Sequence, residues 1–596
     1  MSTVETQGAA ATLLAEPHHD GSDQFVRELP DELGGEAVLR LRVPRNAPAR
    51  GSVALRYVRD GEPQFAVADV DEETETDVWW RARVPVTNAV TRYRWVFPGV
   101  SVNALGVGPY EVPDGDDFML TLGAGGPDWH LESVVYEIFP DRFASSGLDV
   151  TPPEWAVRRA WDELPTGRGF ATPREWFGGD LPGIAAHLDH IEALGANAIY
   201  LTPIFPAGST HRYDASTFDR VDPLLGGDEG LAALAEAARS RGIRLVGDLT
   251  LNHCGNEHEW FRAAREGGLE RDFFYFDDSL PHGYEAWFGV RTLPKLDWRS
   301  DELRTRMLGV VRRWLDGGLD GWRIDVANMI GRFRDLDLNQ DVARLVRGAI
   351  RENELLVAEH GHDFRPDLDG RGWQGAMNYA GFLRPVWSWL RAPELPDVLE
   401  DSFWGAPFGL AHADGFETAA RMRAFRAGVP WQSTLHSWPL LDSHDTARFR
   451  SVSASRAAHV VGIGLQMTTP GVPMVFAGDE LGLEGAWGED ARRTMPWGRP
   501  EDWDGELLDA YRRLIALRRT TPALQRGGIR YVHVSADAIA YLRETSGERL
   551  LCLAARAPHV PIHVPFRSLE TLHGEDAVGG VLPDGGPAFH IWRIHG

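Results

Sequence analysis

The chain has 596 residues, with 61 basic against 87 acidic side chains and a formal net charge of −26. That length predicts several domains at about 150 residues each, and the acidic balance argues against nucleic acid or an anionic membrane surface as a partner, because no spare positive charge neutralises phosphates. A hydrophobic content of 43% with 25% charged residues is that of a soluble globular protein and argues against disorder along the whole chain.

The opening stretch, MSTVETQGAAATLLAEPHHD, carries Glu5 and no basic residue before a short apolar run, which argues against a secretory signal. No run approaches the ~18 apolar residues that span a bilayer. Cys254 and Cys552 lie far apart without metal-ligand spacing, so the expected address is the cytoplasm. Residues 1–127 alternate in short runs such as AVLRLRVP and TRYRWVF between Gly, Pro and Asp turns, which predicts an N-terminal β-sandwich domain. LGAGGPDWH (122–130) reads as a linker.

From 128 to 520 the pattern becomes α/β. Compact apolar segments recur at 133–140, 197–205, 243–251, 319–327, 355–360, 375–379, 438–445 and 472–480, with amphipathic helical patterns such as GLAALAEAARSRG between them. Eight buried strands alternating with helices predict a closed (β/α)8 TIM barrel. The interval 253–300, rich in aromatics and acids, is too long for an ordinary loop and predicts a subdomain inserted after strand three. Residues 521–596 read as a C-terminal antiparallel β domain.

A barrel of this kind carries its chemistry at the C-terminal ends of its strands. The polar residues there are Asp248, Asn252 and His253 after strand three, Arg323 and Asp325 on strand four, Glu359 on strand five, and His444 and Asp445 on strand seven. Carboxylates converging on one mouth raise one another's pKa, so at least one should hold a proton near neutrality. A protonated carboxyl beside an ionised one is the equipment of retaining glycoside hydrolysis, with an expected separation of about 5–5.5 Å. Arg323 lies two residues before Asp325 and shares its face of the strand, so it is expected to keep Asp325 ionised as the nucleophile. Glu359 follows the apolar run LLVA with no arginine within three residues, a drier setting that suits the general acid and base. Asp445 is left to grip sugar hydroxyls, while His253 and His444 donate hydrogen bonds to them.

The segments DLTLNH (248–253), GWRIDVAN (321–328), AEH (358–360) and LDSHD (441–445) resemble, in order, the four signature regions of the α-amylase family of retaining glycoside hydrolases. YEIFPDRF (136–143), FGGDLPGI (177–184), HRYD (211–214), LPKLDW (293–298), LDSHDTARF (441–449) and PGVPMVFAGDE (470–480) are similar to its branch of cyclomaltodextrinases, neopullulanases, maltogenic amylases and maltodextrin glucosidases. The resemblance implies Asp325 as nucleophile, Glu359 as acid and base and Asp445 as transition-state stabiliser. It further implies that Arg323, His253, His444, His211 and Tyr213 line the sugar subsite beside the scissile bond. Asp248 and Asn252 are candidates for substrate binding, with loop bracing as their other reading. A maltodextrin substrate and a homodimer formed through the N-terminal domain are also implied.

The chain departs from the family in places. After FPDRF comes ASSGLDV, without the Asn- and Asp-rich calcium site of several relatives, so neither metal nor cofactor is expected. HGHD after the acid, with LPKLDW and LDSHDTARF, leans toward a maltodextrin glucosidase, an α-glucosidase, whereas Asn328 leans toward the cyclomaltodextrinases. The leading expectation is a maltodextrin glucosidase-like hydrolase of α-1,4 bonds. A cyclomaltodextrinase, neopullulanase or maltogenic amylase, a glycosyl-transferring relative on the same triad, and a catalytically silent carbohydrate-binding barrel stand as alternatives.

HGH (360–362) imitates a metal-binding HxH but follows the fifth strand, so a metal role is not expected. Trp260, Trp287, Trp298, Trp373 and Trp487 either stack on glucose rings or pack in the core. Cys254 reads as a small buried residue. Lys295, within LPKLDW, is the one lysine beside 60 arginines. It either survives by chance or serves where a compact ammonium is needed and a planar fork is not.

Overall fold

The computed structural model describes residues 13–47, 51–109, 115–395 and 409–595. Of the opening stretch read for a secretory signal, residues 1–12 lie outside the described residues.

The N-terminal part is two antiparallel sheets face to face. One runs Val26–Glu28, Glu36–Pro44, Asp77–Pro85, Asp69–Glu73; the other runs Glu62–Val67, Ala54–Arg59, Val90–Phe97, Val100–Asn103, Gly106–Pro109, with Phe118–Thr121 also paired to Val90–Phe97. Alternation in EAVLRLRVP sends Ala37, Leu39, Leu41 and Val43 into a core shared with Leu55, Trp95 and Phe97 of the opposite sheet.

The barrel strands are β1 (Val135–Ile138), β2 (Ala198–Leu201), β3 (Arg244–Thr250), β4 (Gly321–Asp325), β5 (Leu355–Ala358), β6 (Gly375–Ala376), β7 (438–440) and β8 (Met474–Phe476). Neighbours pair in parallel from β1 to β6, and β8 pairs with β1. Closure runs through β7, which joins the ring by two isolated parallel bridges, Met377 with Trp438 and Leu440 with Met474. The supporting backbone bonds are Trp438 N–H to the Ala376 carbonyl at 2.9 Å and Met474 N–H to the Pro439 carbonyl at 3.1 Å.

The outer helices follow ordinary amphipathic logic. In Gly227–Ser240 the residues Leu231, Leu234, Ala235 and Ala238, at i, i+3, i+4 and i+7, are buried. Ser300 caps Asp301–Asp316 by accepting from the Leu303 N–H, with Asp301 and Glu302 favouring the positive helix end. One expected alternation fails: β5 and β6 are joined by 359–374 without a helix. The insert after β3 is rooted by bridges that pair His253 with Lys295 and Phe274 with Leu296, and it packs around Phe261, Phe274 and Tyr284.

Helix continues through Pro522–Arg526, beyond the expected break at 521, before a five-stranded antiparallel sheet starts at Gly528. Each strand of this sheet serves two cores. Ile539 and Tyr541 face the barrel, whereas Ala538, Ala540 and Leu542 join Leu551, Leu553 and Trp592 on the far side. Arg42 and Glu544 form a buried pair at 2.9 Å that ties the N-terminal sheet to the C-terminal one. Cys254 and Cys552 are buried and unpaired.

The seam between helix Arg456–Thr468 and the C-terminal sheet leaves no room at Gly464, where an added Cβ would stand 2.2 Å from the Phe589 ring. Gly464→Ala is therefore expected to destabilise the protein by about 1–3 kcal/mol, read as a lower urea midpoint; an unchanged midpoint would show that the seam yields freely.

Candidate active site

Strand ends bring the charged groups together as the barrel geometry requires. Asp248 stands on β3, Arg323 and Asp325 two residues apart on β4, Glu359 just past β5, and His444 and Asp445 past β7. Arg323 is fully buried. Its Nη1 donates to both Asp248 oxygens at 2.9 Å and to Asp325 Oδ1 at 3.0 Å, and its Nη2 stands 3.1 Å from Glu359 Oε2. One guanidinium thus serves three carboxylates.

This sharing corrects the expected division of labour. Arg323 was expected to keep Asp325 ionised and to leave Glu359 in an arginine-free setting. Instead burial, then the charge of Glu359, push the Asp325 carboxyl well above the usual range, with Arg323 opposing. Burial also raises Glu359, again against Arg323, with Asp445 adding to the rise. Two carboxyls raised together on one cation titrate as a unit. Asp445 differs: burial would raise it, but His444 and Arg492 hold it below the ordinary carboxylate value. Arg492 Nη2 donates to Asp445 Oδ1 at 2.8 Å and its Nε donates to the His444 carbonyl at 2.7 Å.

Between nucleophile position and acid position lies a strained residue. Val326 adopts φ 44° and ψ 43°, the left-handed region, where a β-branched side chain is out of place. Such strain costs about 1–3 kcal/mol. It aims the Val326 N–H at Glu359 Oε2, 2.7 Å away. A sequence reader has no signal for this, since valine is among the residues least suited to that conformation.

The flanking residues divide into groups that face the opening and groups already occupied. Burial pushes His253 down to about 3, so its ring is neutral. Its Nε2 lies 3.8 Å from Asp325 Oδ2, and both atoms are buried without a hydrogen-bond partner. Unmet polar atoms of this kind are costly unless a ligand completes them. Tyr213 stacks between His211 and His444, with ring centroids 5.7 Å away on each side. Burial lowers His211 to about 4.

Asp248 and Asn252 are both buried and engaged by neighbouring side chains, in keeping with the bracing reading. Asp248 accepts at Oδ2 from Arg323, from the Tyr200 hydroxyl at 2.6 Å and from the Tyr213 hydroxyl at 3.0 Å, and at Oδ1 from Arg323. Asn252 is fully buried, bonded to His253 and to the Lys295 ammonium. Among the tryptophans, Trp260, Trp298 and Trp373 are buried packing residues. Trp287 has its ring 6.0 Å from His253, and Trp487 lies under the Arg168 guanidinium at 4.1 Å. His360 is engaged by Asp367 at 3.1 Å, beside the Arg332–Asp367 pair. Sequence reasoning missed Tyr200, Val326, Arg492 and Glu137, whose carboxylate meets His444 Nδ1. Arg492 has no mark in its residue type, being one of 60 arginines.

Lys295 is buried, and its ammonium donates to Asn252 Oδ1 and, at 2.8 Å, to the Met329 carbonyl. It therefore ties the end of β3 to the loop after β4. Burial lowers its pKa to about 8, with Glu285 opposing. A planar guanidinium differs in size and donor geometry from the buried ammonium, so Lys295→Arg is expected to lower kcat several-fold. Unchanged activity and substrate preference in that variant would return the lone lysine to coincidence.

Residues 137–354 match the α-amylase catalytic domain family. Neopullulanase 2 of Thermoactinomyces vulgaris is 33% identical over 428 residues, covering 70% of this chain and 67% of that protein. The cyclomaltodextrinase of Geobacillus thermopakistaniensis is 31% identical over 456 residues, covering 74% of this chain and 72% of its own. Among solved structures, the ligand-free cyclic α-maltosyl-(1→6)-maltose hydrolase from Arthrobacter globiformis superposes with a TM-score of 0.66 at 33% identity, over 79% of this chain and 99% of that one. With the arginine-clamped carboxylates at the barrel mouth, these likenesses identify the chain as a member of the α-amylase family of glycoside hydrolases, in the branch of neopullulanases, cyclomaltodextrinases and maltogenic amylases.

Proposed function

We propose that this enzyme hydrolyses α-1,4-glucosidic bonds in short maltodextrins with retention of configuration, as an α-glucosidase of the maltodextrin glucosidase type. In this reading Asp325 is the nucleophile, Glu359 the general acid and base, and Asp445 the transition-state stabiliser. The observation that carries it is the Arg323 clamp, which holds Asp325 and Glu359 on one guanidinium at 3.0 and 3.1 Å. Glu359 begins with the proton and passes it to the glycosidic oxygen as the C1–O bond breaks. Asp325 bonds to C1 from the opposite face, and the shortened sugar leaves. Water then gives a proton to Glu359 and attacks C1, which frees the Asp325 carboxylate. Two inversions return the α anomer, and the pair ends with the single proton it started with. Asp445, kept ionised by His444 and Arg492, stabilises the positive charge that develops on the sugar ring.

The names of the relatives favour a second reading of the substrate. A neopullulanase and a cyclomaltodextrinase stand among them, and the superposed Arthrobacter enzyme acts on a cyclic maltosyl-maltose. A ring-opening activity, or transfer to a sugar acceptor in place of water, would use the same three carboxylates. We further propose that no metal or cofactor takes part, since carboxylates alone supply the proton transfer and the nucleophile that this reaction needs. A cytoplasmic address is supported by two buried, unpaired thiols and by the lack, among the described residues, of a helix long and apolar enough to cross a membrane. A homodimer through the N-terminal domain is supported by Phe65, Val67 and Val70, apolar and exposed on its outer strands.

Asp325→Asn and Glu359→Gln are each expected to lower maltotriose hydrolysis by about 10³-fold or more, and a near-normal rate in either would sink the assignment. On maltotriose, β-cyclodextrin and pullulan the product profile separates the two substrate readings. Glucose from the linear sugar favours the glucosidase, and opening of the ring favours the cyclomaltodextrinase. In both cases NMR should see the α anomer first; an initial β product rejects retention.

A further inference from the structure

Glu137 sits on β1, on the side of His444 away from Asp445, and takes no part in the chemistry above. It is fully buried, one of its oxygens meets His444 Nδ1, and the other has no hydrogen-bond partner. On the far side of the imidazole, Nε2 lies 2.6 Å from the Tyr213 hydroxyl oxygen and 3.2 Å from Asp445 Oδ2.

Proton accounting follows from these contacts. Tyr213 has one hydroxyl proton, and Asp248 Oδ2 lies 3.0 Å away to receive it. The Tyr213 oxygen is then an acceptor toward His444. An ionised carboxylate accepts and does not donate. His444 is therefore faced by acceptors on both ring nitrogens: Glu137 at Nδ1, and Tyr213 and Asp445 at Nε2. A neutral ring would turn a lone pair toward a carboxylate on one side or the other. If Tyr213 donated to Nε2 instead, Asp248 would lose a donor and Asp445 would still face an unprotonated nitrogen.

We propose that Glu137 is a positioning residue that holds His444 as a doubly protonated imidazolium, clamped between two carboxylates, and so keeps a fixed positive charge beside Asp445 at the sugar subsite. The titratable and charged neighbours of His444 are Glu137 on β1, Asp445 next in the chain, Tyr213 and His211 from the segment after β2, Asp248 on β3 behind Tyr213, and Arg492 from the segment after β8. Burial and Arg492 oppose the charge, while Asp445 and Glu137 outweigh them and raise the His444 pKa. The sign is that of a raised base: the imidazolium is present below the raised value and is lost as pH rises through it. Activity that needs it should fall on the alkaline side.

The kinetic arm of the test rests on the retaining-hydrolase reading, and the spectroscopic arm does not. With ¹⁵N-histidine label, and His444→Asn to assign the signals, both ring nitrogens of His444 should be protonated at pH 7. In Glu137→Gln, which keeps the shape and loses the charge, His444 should titrate lower. The alkaline limb of its kcat profile should move down by at least about one pH unit. An unprotonated ring nitrogen in the wild-type protein at pH 7 overturns the proposal whether or not any variant folds. An unmoved alkaline limb together with an unmoved His444 titration in Glu137→Gln overturns it equally. If Glu137→Gln shifts the histidine signals while the parent enzyme fails to hydrolyse maltodextrins, the clamp stands and the substrate reading falls.

Discussion

A guanidinium buried at the end of β4 has to be surrounded by charge of the opposite sign, and that requirement organises the whole barrel mouth. Arg323 is fully buried, and its guanidinium lies among Asp248, Asp325 and Glu359 from three adjacent strands. The three carboxylates exceed its charge, and burial in a low dielectric makes the excess expensive. Burial raises both Asp325 and Glu359, which favours a proton on that pair. That proton is the one a retaining hydrolase needs at the start of its cycle.

Other features of the mouth follow from holding this cluster in place. Val326 takes up a conformation its side chain resists so that its N–H can fix Glu359. Tyr200 and Tyr213 both turn their hydroxyls to Asp248 Oδ2, which braces that carboxylate against the barrel wall. Asp445 is the exception, since it belongs to a second cluster built on His444 and Arg492 and stays ionised. The two clusters meet at Tyr213, whose hydroxyl touches Asp248 on one side and His444 on the other. Separating the charges in this way allows one carboxyl to carry a proton while another close by does not.

The insert after β3 has a comparable logic. Lys295 reaches under it to join Asn252 with the Met329 carbonyl, and Asn252 in turn contacts the neutral His253 ring that faces Asp325. Two hydrogen bonds thus link the insert to the His253 ring, which stands 3.8 Å from Asp325. The N-terminal and C-terminal sheets stand away from the chemistry and meet through the buried Arg42–Glu544 pair.

The barrel and its carboxylates could be read from residue order alone, because compact apolar runs ending in Asp325, Glu359 and Asp445 are local patterns, and parallel strands place their ends on one side whatever the details. Even the weak runs at 375–379 and 438–445 became the strands that close the ring. The charge states were not legible in this way. Arg323 is two residues from Asp325 in the chain, which suggested a private pair, but strand pairing sets Asp248 and Glu359 against the same guanidinium. Glu137 and His444 are 307 residues apart, and Asp445 and Arg492 are 47 apart. Which acid keeps its proton depends on such long-range neighbours and on burial. Those are set when the ring closes, since electrostatic energy depends on distances through space and local periodicity carries no record of them.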